Sequence, residues 1–266
     1  MNETITSIAI IGAGNVATHL ALGLSGKGFT IRQVFSRTEE SARELATKLN
    51  CPYTSSLEQL TPDADLYIVS IKDSALESVI PHITRRNPQA LFVHTAGSMS
   101  ANVWKEYANR YGVIYPMQTF SKQRTIDFTD IPVFIEANNA DDTDRLTRLM
   151  EQLSRHIYHV SSEQRRYLHI AAVFACNFTN HMYAVCEHLL KAHGLPFAAM
   201  LPLIDETARK VHLLSPTEAQ TGPACRYDVN VIDRHLQMLN GEPELAKLYE
   251  LISQNIHVYN ERKSKH

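Results

Sequence analysis

The chain has 266 residues, 44% of them hydrophobic and 20% charged, with a formal net charge of −2. That length exceeds one small core and fits one large domain or two modest ones, and the composition is that of an ordinary soluble globular protein. With no Lys/Arg run longer than a pair there is no field for gathering nucleic acid, and no apolar run approaches the roughly 20 residues of a membrane span.

The first half alternates strand-like and helix-like segments. Ile8 to Ile11 is a short apolar run ending in glycine, as a strand buried on both faces should be. A helix is expected from about Asn15 to Ser25, a strand at Ile31 to Phe35, and an Ala/Glu/Arg-rich helix at Glu39 to Leu49. Further strands are predicted at Asp65 to Ile71, Ala90 to His94, Val113 to Tyr115 and Val133 to Glu136. A helix should start near Ser74, and another, with aspartates at its positive end, should cover Asp141 to Leu153. This alternation predicts a doubly wound parallel sheet over residues 1–160. After about Val160 the pattern becomes all-helical, giving a second domain over 161–266. Glu163 to His193 contains neither Gly nor Pro, room for one helix of about 30 residues or about 45 Å. Its middle, Ile170 to Phe178, is nearly all apolar and is expected to be buried, and Gly194 and Pro196 stop it. Three more helices are expected at Phe197 to Leu214, Val229 to Leu239 and Glu244 to Tyr259.

Gly12-Ala13-Gly14-Asn15-Val16-Ala17 reads G-x-G-x-x-A between the first strand and the first helix. Gly12 permits the tight turn, Gly14 lets the backbone approach a pyrophosphate, and Ala17 allows close helix–strand packing. The free N–H groups around Asn15 and Val16 then meet the phosphates, assisted by the helix dipole. At the end of the second strand, where an NAD site carries a carboxylate, the chain offers Ser36-Arg37-Thr38. A guanidinium and two hydroxyls would hold a 2′-phosphate that a carboxylate would repel, so NADP is the expected cofactor. The plainer alternative is a solvent-facing Arg37 with NAD bound less specifically. Other strand exits carry Ser70-Ile71-Lys72-Asp73, His94-Thr95-Ala96-Gly97-Ser98 and Tyr115-Pro116-Met117. Ser70, Lys72 and Thr95 are the further cofactor-binding candidates, with the nicotinamide near the His94 to Ser98 loop.

The cysteines, Cys51, Cys176, Cys186 and Cys225, form no C-x-x-C pair and suit a reducing cytosol. The opening Met-Asn-Glu-Thr lacks a basic signal-peptide region, so a cytoplasmic protein is expected. Among 13 histidines there is no H-E-x-x-H pair, and no metal site is expected.

The glycine turn, the Ser36-Arg37-Thr38 trio, the stretch Tyr115-Pro116-Met117-Gln118-Thr119-Phe120 and the later Thr221-Gly222-Pro223-Ala224-Cys225-Arg226-Tyr227-Asp228 together resemble a group of NADP oxidoreductases. In that group a Rossmann domain precedes a helical domain of unknown function. The wider resemblance is to 6-phosphogluconate dehydrogenase, 3-hydroxyisobutyrate dehydrogenase and pyrroline-5-carboxylate reductase, and it spans essentially the whole chain. It implies a 6-phosphogluconate-dehydrogenase-like helical domain and a homodimer that buries the long helix. It also implies a small carbonyl, hydroxy or imine substrate.

The related hydroxyacid dehydrogenases carry a Lys near the start of that helix and an Asn one turn on. Counting back from Gly194 puts His169 at the Lys position and Val173 at the Asn position, with Asn177 the nearest Asn. A histidine can serve as a general acid near neutral pH, so His169 is the candidate proton donor, with Asn177 and Ser98 polarising the substrate. The same helix face also carries Asn180, His181, Glu187 and His188, a stripe that equally describes a partly solvated surface. The resemblance implies that the Thr221 to Asp228 loop folds toward the cofactor, so that Arg226 binds an anionic substrate group and Asp228 orients it; an inter-helix salt-bridge loop is the alternative. Two function classes follow: a reductase transferring hydride between NADP(H) and a small substrate, or a non-catalytic dinucleotide sensor or binding module.

Overall fold

The computed structural model describes residues 4–263. By its internal contacts the chain divides into two compact units at His181/Met182.

The first unit is built on an eight-stranded sheet in the order β3-β2-β1-β4-β5-β6-β7-β8. Its strands are β1 (Ser7–Ile11), β2 (Thr30–Phe35), β3 (Tyr53–Thr54), β4 (Leu66–Val69), β5 (Leu91–His94), β6 (Arg110–Pro116), β7 (Val133–Ala137) and β8 (Ile157–His159). Four helices accompany them: α1 (Asn15–Gly26), α2 (Glu39–Leu49), α3 (Asp73–Thr84) and α4 (Ala140–Met150). Pairing from β3 through β6 is parallel throughout, with Ile10 beside Val34 and Ile68, and Val69 beside His94. The Rossmann architecture is thus as the alternation predicts, with one refinement. β7 runs antiparallel to β6, because the link from 117 to 132 contains no crossover helix, which a parallel neighbour requires. The short strands β3 and β8 lack the apolar runs that mark the others, and sequence patterning misses them.

All residues of β1, β4 and β5 are buried, as central strands covered on both faces must be. Alternation assigns Ile8 and Ile10 to one face, with Leu20 and Leu24 of α1 and Leu146 of α4. Ala9 and Ile11 pack on the other face with Leu76 and Ile80 of α3 and Trp104. Each fully buried Ile or Leu contributes about 1.5–3 kcal/mol.

The long helix starts where Ser161 and Gln164 form a reciprocal capping box. It runs as α5 (Ser162–Ala172), a π-helical segment (Val173–Phe178) and α6 (Thr179–Ala192). Gly194 ends it in the left-handed conformation at φ +69°. The first turns of α5 pack with the sheet. The boundary expected at 160/161 therefore marks the change of secondary structure, and the division of contacts falls later, inside α6. The expected burial of Ile170 to Phe178 is corrected here: Tyr167, Ile170, Phe174 and Phe178 are all exposed, Phe174 at 63%. These four side chains stay uncovered among the described residues of their own unit.

The second unit holds the rest of α6 and α7 (Leu201–Lys210), α8 (Pro216–Ala219), α9 (Pro223–Arg226), α10 (Val229–Met238) and α11 (Pro243–Lys263). α11 packs on α8, α9 and α10. Asn260 Nδ2 donates to the Cys225 carbonyl at 3.0 Å, and the Tyr227 and His257 rings stack at 4.6 Å. Among the described residues, Ala224 and Ile232 are the hydrophobic side chains this unit buries.

Candidate dinucleotide and substrate site

Gly12 leaves β1 at φ +118° and donates its N–H to the Phe35 carbonyl at 2.7 Å. A Cβ there would lie 2.1 Å from the Ser70 carbonyl oxygen, so only glycine allows the chain to turn this close to β4. Gly14 then caps α1 without any side-chain acceptor, and no acidic residue occupies the first turn. A Cβ built on Gly14 meets nothing within 4 Å. The first N–H groups of α1 and its positive dipole end therefore face open space, the arrangement a pyrophosphate requires. Asn15 is exposed, and its side-chain amide donates to the Phe120 carbonyl at 2.9 Å.

Beyond β2, Ser36 is half-buried while Arg37 and Thr38 are exposed. Thr38 occupies the cap of α2 and donates its hydroxyl to Ser41 Oγ at 2.8 Å. Glu39 and Glu40 fill the first turn of α2. Those carboxylates offset the positive end of α2, which leaves the Arg37 guanidinium as a cation directly beyond β2. Lys72 caps α3 and is exposed.

A cavity of about 770 Å³ opens along the carboxyl ends of the strands, and its lining includes Val16, Ser70, Thr95, Tyr115, His169 and Asn177. Thr95 Oγ1 donates to Ser70 Oγ at 2.9 Å, tying the exits of β5 and β4 together. His169 Nδ1 lies 3.0 Å from the Tyr115 hydroxyl, the two rings meeting edge-on at 5.9 Å. Gly97 sits directly against the imidazole, where a Cβ would come within 2.6 Å of Nδ1. Asn177 reaches the cavity from the π segment. Ser98, by contrast, is exposed and lies outside the lining, its hydroxyl bonded to the Asp73 carboxylate. Arg226 and Asp228 belong to the second unit. Asp228 caps α10 by accepting from Val231 N–H, Arg226 ends α9, and no ion pair joins them among the described residues.

Beneath the cavity lies a polar cluster that sequence reasoning did not single out. Arg165, one helical turn before His169, is fully buried and pairs with Glu136 of β7. Its other terminal nitrogen donates to the Met99 carbonyl and, at 3.2 Å, to Ser162 Oγ. Ser162 in turn donates to the Glu136 carboxylate at 2.8 Å. His94, expected beside the nicotinamide, is instead fully buried. Its Nδ1 accepts from Ala96 N–H at 3.1 Å, and Nε2 lies 3.3 Å from the Ser100 carbonyl. Burial, helped by the nearby Arg165 charge, pulls its pKa down to about 4, so it stays neutral and structural. Tyr115 was visible only as a strand-exit residue. The signals for the others were Arg165 four residues ahead of His169 and Glu136 at a strand exit.

A family model described as NADP oxidoreductase coenzyme F420-dependent matches residues 7–97, and a domain of unknown function, DUF2520, matches residues 131–256. The solved structure of a candidate NADP oxidoreductase from Bacteroides fragilis is 56% identical, with 97% of this chain and 99% of that chain covered and a TM-score of 0.91. This chain belongs to the Rossmann NADP oxidoreductase family. Two more distant structures share its fold. A Thermotoga maritima protein is 20% identical at a TM-score of 0.79, with 96% of this chain and 99% of that one covered. An imine reductase from Myxococcus stipitatus, solved in complex with NADP+, is 16% identical at a TM-score of 0.67, with 97% and 94% covered. No curated protein sequence matches the chain.

NADP is the cofactor of this oxidoreductase family, and the residues present fit it. The uncapped start of α1 and the turn at Gly12, which no side chain could occupy, form a pyrophosphate cradle. Arg37, exposed just beyond β2, adds a guanidinium at the carboxyl end of that strand. Among the described residues there is no group of His, Cys, Asp and Glu that could hold a metal ion, and no helix is long and apolar enough to cross a membrane.

Proposed function

We propose that this chain is an NADPH-dependent reductase acting on a small C=O or C=N substrate held in the cavity beside His169. NADP(H) supplies the hydride, and the protein supplies orientation and protons. The N–H groups of Gly14, Asn15 and Val16 would hold the pyrophosphate, Arg37 with Ser36 and Thr38 would meet the 2′-phosphate, and Ser70, Lys72 and Thr95 would support the ribose–nicotinamide side. His169 donates the proton to the substrate heteroatom, and Asn177 polarises the same bond from the π segment. Ser98 acts one step back, holding Asp73 at the cavity edge.

The observation that carries this reading is the imidazole of His169 in a cavity lined by the exits of β4, β5 and β6. Nδ1 is engaged by Tyr115, and Nε2 makes no hydrogen bond to any described residue, which leaves that nitrogen for a ligand. The half-buried surroundings suit a general acid worth about 10²–10⁴-fold in rate.

The test is NADPH oxidation against a panel of ketones, aldehydes and cyclic imines, with His169→Ala alongside. Turnover should fall about 10²–10⁴-fold while NADPH affinity stays within about threefold. Turnover surviving at the parent rate overturns the assignment of the acid. Tight NADPH binding with no turnover of any panel member points instead to a dinucleotide sensor.

A homodimer is proposed for the same chain. The exposed row Tyr167, Ile170, Phe174 and Phe178 follows helical spacing and forms a continuous apolar stripe suited to meeting a second copy. The four free cysteines are consistent with a cytoplasmic setting.

A further inference from the structure

We propose that Tyr115 and His169 form a single proton relay, in which the phenol donates to Nδ1 so that Nε2 carries the proton delivered to substrate. The inference rests on the reading of His169 as the acid and adds the residue that reloads it. Three observations give the relay its direction. The Tyr115 hydroxyl and Nδ1 are 3.0 Å apart, a normal hydrogen-bond distance. Gly97 lies against the Nδ1 side of the ring, where any side chain would intrude on the Tyr115–His169 contact. Arg165, fully buried one helical turn earlier, brings its guanidinium charge close enough to act on the Tyr115 phenol. A cation near the phenol favours negative charge on its oxygen, so the phenol is the donor and the ring nitrogen the acceptor.

The charges around the pair agree with this. From α5 comes Arg165; from β7 comes Glu136, which is already paired with Arg165 and with Ser162. From the end of β5 comes His94, neutral by burial. From α3 comes Asp73, engaged by Ser98. Burial raises the Tyr115 pKa, with the Arg165 charge pulling against it, so the hydroxyl stays protonated at rest.

The step balances as follows. As the substrate carbon is reduced, its heteroatom takes the Nε2 proton, and the N–H bond electrons remain on the ring. Nδ1 takes the phenolic proton, whose O–H bond electrons remain on Tyr115 as phenolate facing the Arg165 charge. The phenolate then takes its proton back from Nδ1 across the same hydrogen bond while Nε2 takes one proton from solvent, so the pair is restored and the single proton consumed per reduction comes from solvent. Without the phenol, a neutral imidazole has no proton to replace the one it gives, and only the imidazolium form can donate.

The experiment uses the full chain labelled with ¹⁵N-histidine and no ligand, read by long-range ¹H–¹⁵N spectra across pH. The His169 signals are assigned by their absence in His169→Gln. The neutral ring should carry its proton on Nε2 alone, with Nδ1 showing the shift of a hydrogen-bonded acceptor. In Tyr115→Phe that shift should vanish and the ring should take up its second proton at higher pH than in the parent, because the donor that stabilises the neutral form is gone. Arg165→Lys, which keeps the charge, should leave the parental pattern. A proton found on Nδ1, or a Tyr115→Phe ring that protonates at lower pH, would make the phenol an acceptor and overturn the relay; an unchanged titration would overturn it too.

With a panel substrate that turns over, Tyr115→Phe should lower kcat by about 10- to 100-fold with KM little changed. Its activity should decline above the ordinary histidine range while the parent stays flat. A flat profile in the variant contradicts the relay. If no substrate turns over yet the spectra show the Nε2–H ring held by Tyr115, the pairing stands and the reductase reading fails.

Discussion

The sheet unit and the helical unit contain apolar residues in similar supply and place them very differently. In the first, β1, β4 and β5 are buried end to end, and each face carries its own hydrophobic cluster. In the second, Leu203, Leu213, Met238 and Leu251 are exposed at 63%, 84%, 81% and 65%, and the long helix leading into it shows Phe174 at 63%. The sheet unit thus closes its own core, as a doubly wound fold with helices on both faces does. The helical unit instead leaves side chains of the same kind exposed, and this exposure is the basis of the homodimer proposed above.

The most severe way to break that contrast is to place charge in the exposed stripe. Phe174→Glu should convert the proposed dimer to monomer in sedimentation equilibrium. A hot-spot loss of about 2 kcal/mol, counted twice across a two-fold interface, weakens association by roughly a thousandfold. A parent chain already monomeric at micromolar concentration would remove the explanation for the exposed stripe.

A smaller effect sharpens the account of the sheet unit. Because the pKa of His94 is lowered to about 4 in the folded chain, the unfolded chain binds a proton below about pH 6.5 that the folded chain refuses. The stability this group contributes is complete above pH 6.5 and is lost as pH falls toward 4, a total of about 3 kcal/mol. Denaturant melts of the parent and His94→Gln across that interval should show the parent losing stability faster by that amount. Parallel curves would mean His94 is protonated in the fold.

Legibility from sequence follows the same division. The G-x-G-x-x-A turn and the strands around it were readable because their signals are local: an apolar run, a glycine at φ +118°, and a helix start with no acid in its first turn. The antiparallel β7 was not, since its direction depends on a missing crossover helix and not on any feature of Val133 to Ala137. In the candidate site, His169 and Asn177 could be placed by counting along one helix. Tyr115, 54 residues away from His169, and the Arg165–Glu136 pair, 29 residues apart, meet only through the sheet. His94 and Ser98 show the converse. Both stand at a strand exit, yet one turns into the core and the other toward Asp73. The run from Ile170 to Phe178 reads as core in the sequence, yet Ile170, Phe174 and Phe178 are exposed, because burial depends on contacts far from it in the chain.

The central claim, that this chain is built around NADP, is tested most directly by fluorescence titration with NADPH and NADH side by side, repeated on Arg37→Ala. The parent should bind NADPH more tightly than NADH. Arg37→Ala should lose about ten- to a hundredfold in NADPH affinity, the worth of about 1.5–3 kcal/mol for a charge-assisted contact, with NADH affinity unchanged. Equal affinities for the two dinucleotides, or an Arg37→Ala chain that binds NADPH as the parent does, would contradict it.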